Sequence, residues 1–433
     1  MSFKLLQRAA DALAGHPARS AALIFVLALL PRILMALHLP QAVLWPDGAR
    51  YMLVADHLLA GQGFGSLQDN ALSVPTQPVL LAAVRFLSNN SFLALRIFFA
   101  VVGAATCAVG YELARRLFGP MSALLAGVAL ALYPPLIYLS ALFEYPQPFY
   151  MLLMALVFLT YLEFTRSRRI SSLLLCGLCL GLSILTVPTV LLFVPLLLGC
   201  LLLEQRRRFW AYAPLIVLAI ALPVATWSVR NEAAYGTPIL VNKAGGFNFW
   251  MANSETYYEL GKIGVTPPCA RGYEQTSFCV QFRALHRQLK SQHPTANQLI
   301  LQEDAGCWQQ GIRFLRSDLG RSVSLTARKF LLYWSPLPDA VHSGGSYEGR
   351  SASWIAALSY LPVLVLGIIG IVLSGRYWRE LLPIYGYFAV FMSVYSIFMP
   401  TTRYRLPLDF FLIIFSAYTL SRLLEAHPKA SPP

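Results

Sequence analysis

Pro75-Thr76-Gln77-Pro78-Val79-Leu80-Leu81-Ala82-Ala83-Val84-Arg85-Phe86-Leu87-Ser88 decides how the rest of this chain is threaded. The run is apolar, yet it carries Arg85 and falls short of the roughly 20 residues a bilayer crossing needs. Counted as a crossing, it would invert every later segment. Taken as a helix lying flat in the outer interface, it leaves crossings at 20–38, 91–113, 120–142, 145–164, 170–187, 188–203, 209–229, 353–375, 381–399 and 406–423. The pair meeting at Thr186-Val187-Pro188 reads either as two tight spans or as a re-entrant hairpin, with the same parity. With Lys4, Arg8 and Arg19 inside, the loops on that side hold Arg115-Arg116, Arg166, Arg168, Arg169, Arg206-Arg207-Arg208, Arg376 and Arg379. Arg422 and Lys429 follow in the tail, so every short basic cluster lies inside, as the positive-inside rule requires.

Composition points the same way. Hydrophobic residues make up 57% and charged residues 12%, and the mean hydropathy is +0.57. Soluble domains carry about 25% charged residues, so the fold class is an all-α polytopic membrane protein with about 10 transmembrane helices. The net charge of +14 is spread over loops rather than massed in a stripe, which argues for membrane lipids as partners and no nucleic acid. Residues 1–19 are amphipathic and basic, with no small-residue cleavage site after the first apolar run, and read as a cytoplasmic N-terminus. Residues 20–230 then form a transmembrane module whose first outer loop covers 39–90. Residues 231–350 form an extracytoplasmic cap, 351–423 the C-terminal transmembrane helices, and 424–433 a cytoplasmic tail. Helical periodicity at 275–290, 294–319 and 322–334 makes the cap mainly helical. One disulfide is expected among its Cys269, Cys279 and Cys307, with the pairing open, while Cys107, Cys176, Cys179 and Cys200 read as small core residues.

Ion-coupled transporters usually carry acids or bases within the membrane. Here Arg32 and Arg96 are the main ionisable residues in the spans, so chemistry is expected at the outer surface. In Trp45-Pro46-Asp47-Gly48-Ala49-Arg50-Tyr51, Asp47 opens an amphipathic segment running to Ala60, with Tyr51, Val54, Leu58 and Leu59 on one face and Arg50 and His57 on the other. A carboxylate there suits a general base, and equally suits a helix N-cap. Glu144 falls at the outer mouth between two spans, as a second acid or a solvated loop residue. Arg230 ends one span, and Arg403 and Arg405 begin another. Such guanidinium groups fit a leaving phosphate, or snorkel to headgroups. No His/Cys/Asp cluster has metal-ligand spacing, so no metal or other cofactor is expected.

At these residues the chain resembles GT-C-type glycosyltransferases of the protein-mannosyltransferase and aminoarabinose-transferase kind. Asp47-x-x-x-Tyr51-x-x-x-Ala55 with Leu58-Leu59-x-Gly61-x-Gly63 resembles the first-loop motif, and Phe143-Glu144 the second outer acid. Trp227-x-x-Arg230-Asn231, Tyr235-Gly236, Gly245-Gly246-Phe247-Asn248 and Asn253 resemble the entry to the large loop, and Arg403-Tyr404-Arg405-x-Pro407 the opening of a late span. Gly48 stands where many relatives have Glu, and Gln77 where some have a basic phosphate contact. The resemblance implies an inverting transfer from a polyprenyl-phosphate sugar donor to a protein, glycolipid or polysaccharide acceptor, at the outer face of a cell inner membrane. Asp47 would be the base and Glu144 a second acid. Arg230, Arg403 and Arg405 would bind phosphate, and Tyr51, His57, Asn231, Asn248 and Tyr404 would position substrates. The rival expectations are a lipid-linked saccharide transporter, which the absence of internal repeats disfavours, and a non-catalytic scaffold for envelope assembly.

Overall fold

The computed structural model describes residues 15–67, 73–260, 275–292, 295–337 and 350–426, and among these the secondary structure is helical without strands. The first helices are α1 (Pro17–His38), α2 (Pro46–Leu59), α3 (Thr76–Leu87), α4 (Phe92–Phe118), α5 (Pro120–Leu132), α6 (Pro134–Ser140), α7 (Gln147–Ser167) and α8 (Ile170–Ile184). A 3-10 turn (Pro188–Phe193) leads to α9 (Val194–Glu204) and α10 (Phe209–Tyr235). The cap holds α11 (Gly245–Ala252), α12 (Glu255–Leu260), α13 (Ser277–Gln292), α14 (Ala296–Ser317) and α15 (Leu319–Tyr333). Then α16 (Arg350–Leu373), a 3-10 turn (Ser374–Tyr377), α17 (Trp378–Ile397) and α18 (Thr402–Ala426) complete the bundle. The cap helices lie within a few residues of the expected ones.

This is a multi-pass membrane protein. Along α1, Leu23, Val26, Leu30, Leu34 and Leu37 are more than half exposed, as are Leu218, Leu222 and Val229 along α10. Water would not tolerate such walls, whereas lipid tails solvate them. The centre is α18, almost wholly buried from Arg405 to Thr419.

Six described stretches are long and apolar enough to cross, or seven if the pair α5 and α6 is one span. One of the six, Trp354–Ile397, runs 44 residues, about 66 Å of helix against a hydrocarbon layer of about 30 Å. Its contacts divide it at the 3-10 turn. Ser416 and Thr419 donate to Val363 O and Leu366 O, so α16 runs parallel to α18. Tyr395 of α17 stacks instead on Tyr404 at the start of α18, so α17 returns. Tyr377, in the turn between them, packs on Phe118 and Tyr418 at the opposite face of the bundle.

The helices α8 and α9 are joined through Thr186-Val187-Pro188. Gly177 and Gly181 bring α8 against the backbone of Ile216 and Ile220 in α10, too close for any Cβ. At its far end Thr76 of α3 donates to Leu185 O and lies 3.0 Å from the Thr186 hydroxyl. The chain then descends, and Glu204 lines a cleft with Leu117 and Glu380 at the other face. The two helices thus run between opposite faces of the bundle. The count of ten is reached only by adding these short helices, of 15 and 17 residues counting the 3-10 turn, to the long ones.

The expected straight span 120–142 is instead broken, with α5 and α6 meeting at 58°. Pro134 and Pro135 follow Tyr133 and supply no amide N–H, which frees carbonyls in the last turn of α5. Arg32, buried in the bundle, donates to them: Nη2 to Leu130 O at 3.2 Å, and Nη1 to Ala131 O at 3.0 Å. It also reaches Ala28 O, the Ser140 hydroxyl and Cys107 Sγ. Arg32 therefore repairs a bend within the bundle.

In the cap, Cys279 is disulfide-bonded and Cys307 is free and buried, while Cys269 lies outside the described residues. The cap is latched to α17 by Lys329, which is fully buried. Its Nζ donates to Asn253 Oδ1 at 3.0 Å and to Ile397 O at 2.9 Å, and lies 4.9 Å from the Tyr257 ring centre. Burial first, and then the charge of Arg328, brings the Lys329 pKa down to about 7. Between about pH 7 and the ordinary lysine value of 10.5, a released Lys329 binds a proton that the docked one lacks. Docking therefore strengthens as pH rises through that window and is flat below it, by at most about 1.4 kcal/mol per pH unit. Limited proteolysis of the cap should thus be slower at about pH 9 than at about pH 6. Lys329→Met should flatten that difference.

Candidate functional site

One face of the bundle gathers nearly all the residues expected to carry chemistry. Helix α2 begins at Pro46, with Trp45 extended before it. Asp47 therefore lies inside the first turn and is not an N-cap, and no side chain caps this helix. Its carboxylate turns to cations instead: Oδ2 accepts from Arg403 Nη1 at 2.6 Å, and Oδ1 from Arg50 Nη2 at 3.2 Å. The Asp47 side chain is 30% exposed, so the group is held by charge yet open at the surface.

Three tyrosines surround this pair. The Arg403 guanidinium lies 4.8 Å from the Tyr145 ring centre and 5.0 Å from that of Tyr404. Tyr51 is buried beneath α2, and burial, then the Asp47 charge, hold its phenol well above the usual range. Burial raises Tyr145 in the same way, with Arg403 pulling against it. Of the residues read on one face of α2, Tyr51 and Val54 are buried and Leu59 is exposed.

Arg230 occupies a second place on this face. Its guanidinium sits 4.9, 5.2 and 4.8 Å from the ring centres of Phe64, Trp227 and Tyr235, an aromatic cage built from the first loop and the end of α10. Nη1 donates to Asn231 Oδ1 at 3.1 Å. Asn231 in turn donates to Ile239 O, and Trp227 Nε1 to Val241 O, so both fold the chain entering the cap. His57 pairs with Gln62 in the turn that carries Phe64, and its ring fills the space a side chain at Gly65 would take (φ +70°). Asn248 lies exposed on α11.

Glu144 and Arg405 are placed differently from the open surface positions expected. Glu144 is fully buried, its Oε1 3.6 Å from Arg96 Nη2, and burial raises its carboxyl against the pull of Arg96. Arg405 is buried as well. It donates to Tyr333 O and Ser335 O, pairs with Asp409, and lies 3.6 Å from the Tyr360 ring centre, tying the end of α15 to α18. Gln77 is likewise buried, its Nε2 donating to Phe143 O at 2.5 Å. Among the described residues no group of three His, Cys, Asp or Glu side chains could hold a metal ion.

Comparison with known proteins bears on the fold. Residues 73–227, just over a third of the chain, match a family profile described as dolichyl-phosphate-mannose-protein mannosyltransferase. Among solved structures, the archaeal oligosaccharyltransferase AglB from Archaeoglobus fulgidus, in complex with an inhibitory peptide and a dolichol-phosphate, is 14% identical with a TM-score of 0.53. The match covers 95% of this chain and 52% of that one. The fold is that of the GT-C-type membrane glycosyltransferases.

A second structure of the same archaeal oligosaccharyltransferase, in complex with Zn and sulfate, has a TM-score of 0.54 at 14% identity, over 93% of this chain and 49% of that one. This chain thus spans about half the length of these GT-C-type structures. ArnT from Cupriavidus metallidurans bound to undecaprenyl phosphate is 17% identical over 94% of this chain and 78% of that one, with a TM-score of 0.40, too low to carry an argument. A comparison with curated proteins found no match. The matched profile includes Gln77, Arg96 and Glu144, and leaves out Asp47, Arg230 and Arg403.

Sequence reasoning missed Tyr145, and saw Arg96 only as an ionisable residue in a span. The signal was there: a cation in an apolar helix needs an acid at its own depth, and Glu144 is the acid nearest that level. Gly48 shows how tightly these parts fit, since a Cβ there would lie 2.4 Å from Glu144 Cγ. Gly48→Val should therefore cost about 1–3 kcal/mol through overpacking, read as a lowered midpoint in thermal unfolding of the detergent-purified protein.

Proposed function

We propose that this chain transfers a sugar from a polyprenyl-phosphate-linked donor to an acceptor hydroxyl, with inversion, at the outer face of a cell inner membrane. Its termini then lie in the cytoplasm and its cap outside. One observation supports this above the others: the Asp47 carboxylate is part-exposed on the face that also carries Arg403 and the caged Arg230.

In the transfer, the acceptor oxygen attacks the anomeric carbon and its proton passes to Asp47. The bond from that carbon to the donor phosphate breaks, and its electrons leave with the phosphate. Base and leaving group stand on opposite sides of the sugar, so the phosphate needs a cation other than the one holding Asp47. Arg230 suits that role. Apart from Asn231 it donates to no protein group among the described residues, and its aromatic cage keeps it oriented at the membrane surface. Arg403 governs the base: while it grips Oδ2 it holds the carboxylate in place, and a substrate hydroxyl can draw it aside. Tyr51 and Tyr404 line the base, and His57 and Asn231 shape the loops around Arg230. Arg405 and Asn248 act less directly, the first by securing the cap and the second from the open surface of α11. A dolichol-phosphate held by the archaeal structural neighbour supports a polyprenyl donor here. The acceptor, whether protein, glycolipid or polysaccharide, enters beneath the cap. The transfer is proposed to need no metal and should persist in chelator.

Purified protein incubated with labelled polyprenyl-phosphate sugars should release polyprenyl phosphate. Asp47→Asn should lower that release by at least about a hundredfold while donor binding persists; undiminished release would sink the assignment. Arg230→Glu should weaken donor binding more than acceptor binding. Donor that crosses a vesicle uncleaved would favour the transporter reading.

A further inference from the structure

Three carbonyls and one amide converge on a single buried ion pair beside Asp47. Arg96, fully buried in the second turn of α4, donates Nη2 to Pro40 O at 2.9 Å and to Ala42 O at 3.0 Å. Its Nη1 donates to Ala141 O at 3.0 Å. Glu144 Oε1, 3.6 Å from Arg96, accepts the Leu44 backbone N–H at 3.1 Å. Positions 40, 42 and 44 thus all bond to the pair. Trp45 is extended, and α2 with Asp47 begins one residue later. The Glu144 side chain then passes directly under Gly48. On the other side Gln77 holds Phe143 O, and the Phe143 ring lies 4.9 Å from the Arg96 guanidinium.

We infer that Arg96 and Glu144 are positioning residues, a buried clamp that sets the register of segment 40–48 and thereby aims the Asp47 carboxylate at its partner Arg403. Glu144 touches no substrate. It acts through the Leu44 amide and the Gly48 backbone, for which only its Oε1 acceptor and its shape are required. The inference rests on the reading of Asp47 as the base, and deepens it. Neither residue is exposed, so an acceptor reaching Asp47 from the surface meets the loop that the clamp holds rather than the clamp itself. An amide of the same shape keeps an oxygen for the Leu44 N–H and for Arg96, which still has its three carbonyl acceptors, whereas it cannot replace a carboxyl that handles a proton.

The test pairs turnover with a readout independent of chemistry. Glu144→Gln should keep turnover within about threefold of the parent, whereas Glu144→Ala and Arg96→Met should lose at least about tenfold in kcat, with donor KM little changed. In the same two variants the acid limb of the kcat/KM profile should move to higher pH, because an Asp47 swung away from Arg403 is protonated more easily. Loss of folded protein alone would lower amplitude without moving that limb. Hydrogen–deuterium exchange over residues 42–49 should rise in Glu144→Ala and stay at the parent level in Glu144→Gln. A Glu144→Gln variant as inactive as Glu144→Ala would overturn the inference, since Glu144 would then act on substrate. Unchanged exchange in Glu144→Ala would overturn it as well. Raised exchange with undiminished turnover would uphold the clamp while sinking Asp47 as the base. Should Glu144→Ala or Arg96→Met fail to fold, Glu144→Gln and the partly bonded Arg96→Lys carry the same comparison.

Discussion

A guanidinium taken out of water must find acceptors, and this protein is organised around three that do. Burying an unpaired charge costs several kcal/mol, so each buried arginine is obliged to collect oxygens from whatever backbone passes nearby. Arg32 collects the carbonyls released where α5 breaks into α6. Arg96 collects those of the first outer loop and of the junction before Glu144. Arg405 collects the last carbonyls of the cap helix α15. In each case the polar group sits where helices are interrupted, and interruption is what gives a membrane bundle a place for polar chemistry.

The cap is joined to the bundle by rings as well as by charge. Tyr333 of α15, Tyr395 of α17 and Tyr404 of α18 stack in sequence, with interplanar angles of 10° and 12°. The Tyr333 hydroxyl donates to Tyr404 O. Tyr404 adjoins Arg403, so a displacement of the cap is felt, through two stacked rings, at the cation that holds Asp47.

Much of the architecture was legible because lipid leaves few choices. Apolar runs, basic clusters on one side, and a segment at 75–88 too short to cross determined the threading, and helical periodicity found the cap helices. The bend at Tyr133 was not read, although Pro134-Pro135 announces it, because a run of apolar residues looks continuous whether or not its axis turns. The site was half legible. Asp47, Arg403 and Arg230 could be marked as polar residues on one face, but a linear pattern does not say which charge meets which. Arg403 was expected on a phosphate and is found on Asp47, and Glu144 was expected at a mouth and is found beneath a glycine.

What the sequence by itself determined was the membrane, the number of sides a residue could lie on, and the list of side chains able to do chemistry. Those follow from transfer free energies, which depend on composition and span length alone. What only the tertiary structure decided was pairing. Asp47 and Arg403 are more than 350 residues apart, and Arg96 and Glu144 are separated by α5 and α6. Their meetings depend on helix packing at the scale of single ångströms, where glycines such as Gly48, Gly177 and Gly181 admit contacts that no other residue permits. Hydropathy put Asp47, Glu144 and Arg403 toward one side, and packing made two of the charges a clamp and two a candidate catalytic pair.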